Sequence, residues 1–177
     1  MKKILTPSVK CVLTLVIIAV VCVAALAILN DLLYVPPDFS AFSNAYEAEY
    51  DQVEVADVAT TSGKVLLAVE GSDSQGKQLV GLYIESAGYG KAKAFTVIIV
   101  LEKDTGIILG SYIKEQGSSA APYDYDESKL AALNGTNIAD IVPKDPEMVV
   151  TGATHSSYAV MNAFVTAQEY YQAVYGE

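Results

Sequence analysis

The sequence predicts an α+β domain, an antiparallel sheet with flanking helices, preceded by one N-terminal transmembrane helix. Three observations lead to this fold class. Residues 11–29 carry no charge. Between residues 53 and 113, short segments rich in Val, Ile and Leu alternate with turn residues, as strands in antiparallel succession do. After residue 157, apolar residues recur every three or four positions, which is the spacing of one helical face.

The uncharged run 11–29 is close to the ~20 residues that a helix needs to cross the hydrocarbon core of a membrane. Three lysines precede the run and Asp31 follows it. The positive-inside rule therefore places the N-terminus in the cytoplasm and the rest of the chain outside a cell membrane. A cleaved signal peptide is the alternative, because small residues near Ala25 resemble a cleavage site. The expected parts are a cytoplasmic N-terminus (1–10), a membrane anchor (11–33) and an extracytoplasmic domain (34–177).

Charge and composition exclude several classes of function for the domain. Beyond residue 30 the chain has eight lysines, no arginine and 21 acidic residues, a net charge of −13. Such a surface repels phosphate backbones, so we expect no nucleic-acid binding. Both cysteines lie in the apolar run and His155 is the single histidine. The domain therefore lacks the ligands for a cysteine-bound iron–sulfur cluster or a histidine-rich metal site. Redox chemistry in it would need an organic cofactor.

The elements of the domain follow from periodicity and turn residues. Asp38 is expected to cap a short helix, and the turn at 103–106 is expected to join the last two strands as a hairpin. In chain order we predict a helix to residue 50; strands at 53–58, 65–69, 79–85, 95–101 and 107–113; a loop at 115–126; one or two helical turns at 127–133; a short apolar segment at 138–142; an extended entry at 148–150; and a helix over 155–172.

A hydroxyl-rich turn precedes the last helix: Thr151-Gly152-Ala153-Thr154, then His155-Ser156-Ser157. Backbone N–H groups at a helix start lack helical partners, so this stretch suits a phosphate with serine and threonine hydroxyls nearby. An ordinary N-cap is the alternative, because Ser and Thr favour that position. His155 is interpreted as a surface or helix-start residue, since no acid partner for a Ser–His pair is visible in the sequence.

The same residues resemble the flavinylation signature of the FMN-binding domain family. That family includes the G subunit of Rnf electron-transport complexes and the C subunit of the sodium-pumping NADH:quinone oxidoreductase. The N-terminal anchor and the segment Gly88-Tyr89-Gly90, which leads into a strand–turn–strand, are also similar. Together the resemblance spans most of residues 44–175. Family members usually carry Asp three residues before the first Ser/Thr of the signature, where this chain has Met148 beside Glu147, and they have a different loop at 116–122.

The resemblance implies that a flavin transferase joins the phosphate of FMN to the Thr154 hydroxyl as a phosphoester. It implies an electron-relay subunit of an Rnf-type ion-translocating membrane oxidoreductase, not catalytic alone, with other membrane subunits as partners. No metal is expected. A stand-alone anchored FMN carrier and a cofactor-free anchored interaction module are the alternatives. The implied cofactor-binding residues are Thr154, Thr151, Gly152, Ala153, Ser156, Ser157 and Tyr89, with Tyr123 and Tyr125 as further candidates to flank the flavin.

Overall fold

The computed structural model describes residues 7–33, 39–86, 94–117 and 125–176. In the first of these ranges, side chains are described for residues 12–24 and 26. The chain divides into two compact units, Met1–Asp38 and Phe39–Glu177. The first unit contains a single helix, and the second is the α+β domain with its antiparallel sheet and flanking helices.

The helix of the first unit, α1, runs over Pro7–Leu33. A proline is tolerated at its start because the first N–H groups of a helix have no helical acceptor. The large apolar side chains between Val12 and Leu26 are 52–67% exposed. Across the described residues, no helix combines the length and the hydropathy needed to cross a membrane.

The domain is built on one sheet whose strands lie in the order β1-β2-β3-β4-β5. Each strand pairs antiparallel with the next one along the chain. Strand β4 is buried in seven of its eight positions, which explains its continuous apolar sequence. The elements in the described residues of the domain are β1 Glu49–Val53, β2 Gly63–Ser72, β3 Gln78–Ser86, β4 Phe95–Glu102, β5 Ile108–Glu115, α2 Ser40–Ala45, α3 Thr154–Val174, and 3-10 helices at Glu127–Leu133, Ile138–Asp140 and Pro146–Met148.

Helix α3 covers one face of the sheet and forms the larger core. Ala68, Leu82 and Ile99 face each other across β2, β3 and β4. They share a core cluster with Ala163 and Phe164 of α3, and all five are fully buried. Each large apolar side chain that is fully buried contributes about 1.5–3 kcal/mol. This packing sets where α3 begins relative to the sheet.

The opposite face carries the short helix α2. A Cβ added to Gly110 would lie 1.9 Å from the carbonyl oxygen of Ala45, and one added to Gly81 would lie 2.6 Å from Cδ1 of Phe42. The two glycines therefore let α2 approach the strands closely, and Phe42 is buried at Gly81. Tyr83 and Tyr112 on the same face are half-buried.

The predicted strand at 53–58 is wrong, because the strand lies earlier, at Glu49–Val53. Residues beyond it bond to side chains of α3 instead of a neighbouring strand. The N–H of Ala56 donates to the hydroxyl of Tyr170 at 3.0 Å, and that of Thr61 donates to the Glu169 carboxylate at 2.8 Å. Apolar alternation at 53–58 thus marks a segment packed on a helix.

Other boundaries differ for similar reasons. The first domain helix ends at Ala45 and not at residue 50, because residues from Glu49 onward pair with β2. The segments 127–133 and 138–142 both contain 3-10 turns. The extended entry predicted at 148–150 begins one residue later, because Met148 ends a 3-10 turn and Val149 is extended, with φ of −79° and ψ of 128°. The predictions for β2 to β5, their hairpin and α3 are confirmed within a few residues.

Replacing Gly110 by Ala is expected to lower the free energy of unfolding by about 1–3 kcal/mol, because the methyl group must displace the backbone of α2. Urea titration of the full-length chain in detergent measures this. The matched control is Ser111→Ala in the next position of β5. The Ser111 hydroxyl is buried without a partner among the described residues, so its loss should be neutral or stabilising. An unchanged midpoint for Gly110→Ala would contradict the close approach of α2.

Candidate functional site

The stretch before α3 forms a tight turn that only glycine fits easily. The N–H of Ala153 donates to the carbonyl of Val150 at 2.9 Å. Between them, Gly152 has φ of +87°, the sign that a type II turn requires at its third residue. A Cβ at Gly152 would meet nothing within 4 Å. Glycine is needed here for its backbone conformation and not for space.

Thr154 is the first residue of α3 and its side chain is exposed, as is that of Thr151. The residue at the N-cap position is Ala153, which is buried and offers no side-chain cap. The alternative of an ordinary Ser or Thr N-cap is therefore wrong. The Thr154 hydroxyl faces solvent at a helix start, where the helix dipole favours negative charge.

Ser157 holds the turn closed from inside the helix. Its hydroxyl donates to the carbonyl of Ala153 at 2.9 Å and accepts from the N–H of Val150 at 2.9 Å. The side chain is fully buried, and Ser156 beside it is 6% exposed. In this geometry the Ser157 hydroxyl binds the backbone on both sides of the turn, so it acts as a clamp on the turn rather than pointing outward.

Lys129 fixes the segment that enters the turn. Its ammonium group donates to the carbonyls of Glu147 at 2.7 Å and Val149 at 3.1 Å. Met148 between them is 4% exposed and belongs to the main core, while Glu147 is exposed. The two adjacent side chains therefore face opposite environments. Lys129, Met148 and Met161 also line a cavity of about 320 Å³ under this segment.

The turn lies at the end of the sheet where β3 ends. The hydroxyl of Ser86, the last residue of β3, donates to the carbonyl of Ala159 at 2.7 Å. Ala159 is five residues into α3 from Thr154, so the two are about 7.5 Å apart along the helix axis. Tyr89 and its flanking glycines belong to the connection that leaves β3 here, and they lie outside the described residues.

Of the other candidate tyrosines, Tyr123 also lies outside the described residues and Tyr125 is placed in the core. The side chain of Gln116 bridges to the backbone of Tyr125, accepting from its N–H at 2.6 Å and donating to its carbonyl at 3.2 Å. The Tyr125 hydroxyl is buried and has no hydrogen-bond partner among the described residues. Burial first, and then the charge of Asp126, raise the pKa of Tyr125 to about 12.

Sequence reasoning missed three residues around the turn. Lys129 donates a hydrogen bond to the carbonyl of Val149, which follows it by 20 residues in the sequence. Lys144 lies in the left-handed region with φ of 61°, and its ammonium group is 5.8 Å from the centre of the Tyr158 ring. The one available signal was the spacing of Tyr158, four residues after Thr154, because residues at that interval share a helical face.

No family model, curated protein or solved structure matches this chain. Within the described residues, no three or more His, Cys, Asp or Glu side chains are grouped so that they could hold a metal ion.

Replacing Ser157 by Ala is expected to lower the free energy of unfolding by about 1–3 kcal/mol, because the change removes two hydrogen bonds of a buried hydroxyl. Urea titration followed by circular dichroism measures the change. Thr154→Ala is the matched control: it removes an exposed hydroxyl three residues away and should stay within about 0.5 kcal/mol of the wild type. Equal effects from the two variants would contradict the clamp.

We predict that ionisation of the Tyr125 phenol destabilises the folded protein at alkaline pH. Below about pH 10 its phenol is neutral in the folded and unfolded chains, so its contribution to stability is complete. Between about pH 10 and pH 12 the unfolded chain ionises first, and the folded state should lose up to about 2–3 kcal/mol. Urea midpoints measured across this range should fall less steeply for Tyr125→Phe than for the wild type. Identical slopes would show that Tyr125 is accessible to water.

Proposed function

We propose that this protein is a membrane-anchored electron-relay subunit of an Rnf-type ion-translocating oxidoreductase, carrying FMN through a phosphoester to Thr154. The observation that carries the proposal is the exposed Thr154 hydroxyl at the start of α3, after a turn that is shaped by Gly152 and clamped by Ser157. It adds to the resemblance of this stretch to a flavinylation signature. The group suits the site, because the start of a helix favours an attached phosphate.

The chain's own part in the attachment is to present one oxygen. Thr154 loses its hydroxyl proton to a base, its oxygen bonds to phosphorus, and the bond from phosphorus to the activating group breaks as that group leaves, so the chain gains the mass of FMN less one water. A threonine hydroxyl is a weak nucleophile, and the transferase has to supply the base and the activated flavin phosphate. Small, exposed neighbours give that enzyme access: Thr151 and Gly152 are exposed, and Ala153 is turned inward. Once bound, the flavin supplies reversible electron transfer.

The amino-acid composition of the domain supports a role beside other redox proteins. The domain has no cysteine and one histidine, so its partners would carry the iron–sulfur, nicotinamide and ion-transport chemistry. The membrane anchor in this proposal is the segment 11–33, and the support for it is the uncharged sequence 11–29. We propose a single-pass topology with a cytoplasmic N-terminus, because the lysines precede the run.

A cofactor-free interaction module is the second candidate, and the burial of Met148 is the observation that favours it. The flavin-binding family usually has an aspartate at this position, and here the side chain is packed into the core. A stand-alone anchored FMN carrier shares every residue of the first proposal. Copurification with further membrane subunits distinguishes that carrier from a relay subunit.

The attachment predicts one modified residue. Full-length protein coexpressed with a flavin transferase should give a fluorescent band after denaturing electrophoresis, and peptide mass spectrometry should place FMN less one water on Thr154. Thr154→Ala should abolish the band. Thr105→Ala is the matched control, since Thr105 is an exposed threonine in the turn between β4 and β5, outside the signature, and it should keep the band. A band that survives in Thr154→Ala, or a well-folded wild type that stays colourless, would reject the assignment.

A further inference from the structure

A lysine and a tyrosine meet beside the proposed acceptor. The ammonium nitrogen of Lys144 is 5.8 Å from the centre of the Tyr158 ring, within the range of an attractive cation–π contact. The ring is the one recorded contact of the Lys144 side chain in the described part of the chain. Lys144 is exposed and Tyr158 is half-buried. The pair is therefore accessible to a bound group, and its positive charge is not matched by an ion-paired carboxylate of the described residues.

Helix geometry directs the tyrosine of this pair toward Thr154. Tyr158 follows Thr154 by four residues in α3, so both lie on the same helical face. Side chains in a helix lean toward its N-terminus and cover the preceding turn. A Tyr158 side chain that follows this rule is directed toward the turn that begins with Thr154. The two Cα atoms are about 6 Å apart along the helix axis.

We infer that Lys144 and Tyr158 together receive the group attached at Thr154. The Lys144 ammonium group would attract the phosphate, and the Tyr158 ring would offer the flavin ring an aromatic surface on which to stack. In FMN the ribityl chain separates the phosphate from the ring system, so the flavin ring has to lie further from Thr154 than the phosphate does. A ring one helical turn along the same face meets that requirement. Both residues are positioning residues, and the inference rests on the proposed function.

Lys144 supplies a positive charge on a strongly acidic domain. The domain as a whole is strongly acidic, with a net charge of −13 beyond residue 30. An anion would be repelled by most of its surface. Lys144 is a local exception, held at the turn before the 3-10 helix Pro146–Met148 in a left-handed backbone conformation that most residues avoid. The adjacent Asp145 directs its carboxylate to the N–H of Glu147 at 2.9 Å.

Flavin fluorescence of the folded protein tests the role of Tyr158. A tyrosine stacked on a flavin quenches its emission, and unfolding releases the quench. For each flavinylated full-length variant, the ratio of native to denatured fluorescence is measured at equal flavin content. Tyr158→Leu should reduce the stacked fraction by roughly two- to tenfold, the value of an aromatic contact, and raise the ratio accordingly. Tyr158→Trp should restore the quench. Tyr112→Leu is the matched control, a half-buried tyrosine on the opposite face of the sheet, and should leave the ratio unchanged.

The dependence of flavin quenching on salt concentration tests the role of Lys144. In the wild type, added salt should weaken the quench, because it screens the attraction between the ammonium group and the phosphate. Lys144→Met should raise the ratio of native to denatured fluorescence with about a two- to fivefold loss of the stacked fraction, as for an exposed ion pair, and should remove the salt response. Lys144→Arg should retain both. Lys64→Met, at another exposed lysine, is the control for a general change in net charge.

The outcomes separate this inference from the proposed function. Covalent flavin on Thr154 with the expected Tyr158 and Lys144 responses supports both. Covalent flavin on Thr154 with an unchanged quench in Tyr158→Leu overturns the inference and leaves the attachment intact. A folded wild type without covalent flavin overturns both. Loss of quenching in Tyr112→Leu as well would show a global effect on folding and would also overturn the role assigned to Tyr158.

Discussion

Burial of α3 against the sheet is the constraint on which the site depends. Phe164 and Ala163 are fully buried in the core that they share with the central strands, so the helix cannot slide or rotate without exposing apolar surface. The hydroxyl of Ser86 fixes α3 one and a half turns from its start. Thr154 therefore stands at a set place, at the end of the sheet where β3 ends. The position of the proposed acceptor is a product of core packing.

Two hydroxyls three residues apart have opposite environments, and helical geometry explains why. Thr154 begins α3 and faces solvent, whereas Ser157 is turned toward the core and bonds to the backbone of the preceding turn. A sequence rich in Ser and Thr does not tell these roles apart. Burial does, because a buried hydroxyl has to find partners within the protein. The exposed hydroxyl remains accessible to an external enzyme.

The parts of the fold that could be predicted from sequence are those set by local patterns. Strands β3 to β5 have apolar runs bounded by turn residues, and Gly106 with φ of +70° makes the hairpin that its sequence predicts. The 53–58 segment could not be placed, because apolar alternation does not say whether a strand or a helix is the neighbour. The contacts of Lys129 and Lys144 could not be predicted from the sequence either. They depend on how segments that are distant in the sequence pack together, and no periodic sequence pattern indicates such contacts.

The clamp formed by Ser157 has a consequence for recognition. A segment that is disordered before it binds spends part of its interaction energy on becoming ordered. Here the backbone of Val150 and Ala153 is already fixed by one buried hydroxyl within the same chain. An enzyme that modified Thr154, as proposed, would therefore meet a preorganised turn, and its binding energy would be available for aligning the reacting oxygen. Because the clamp is made by the chain itself, the proposed attachment would not have to order this turn.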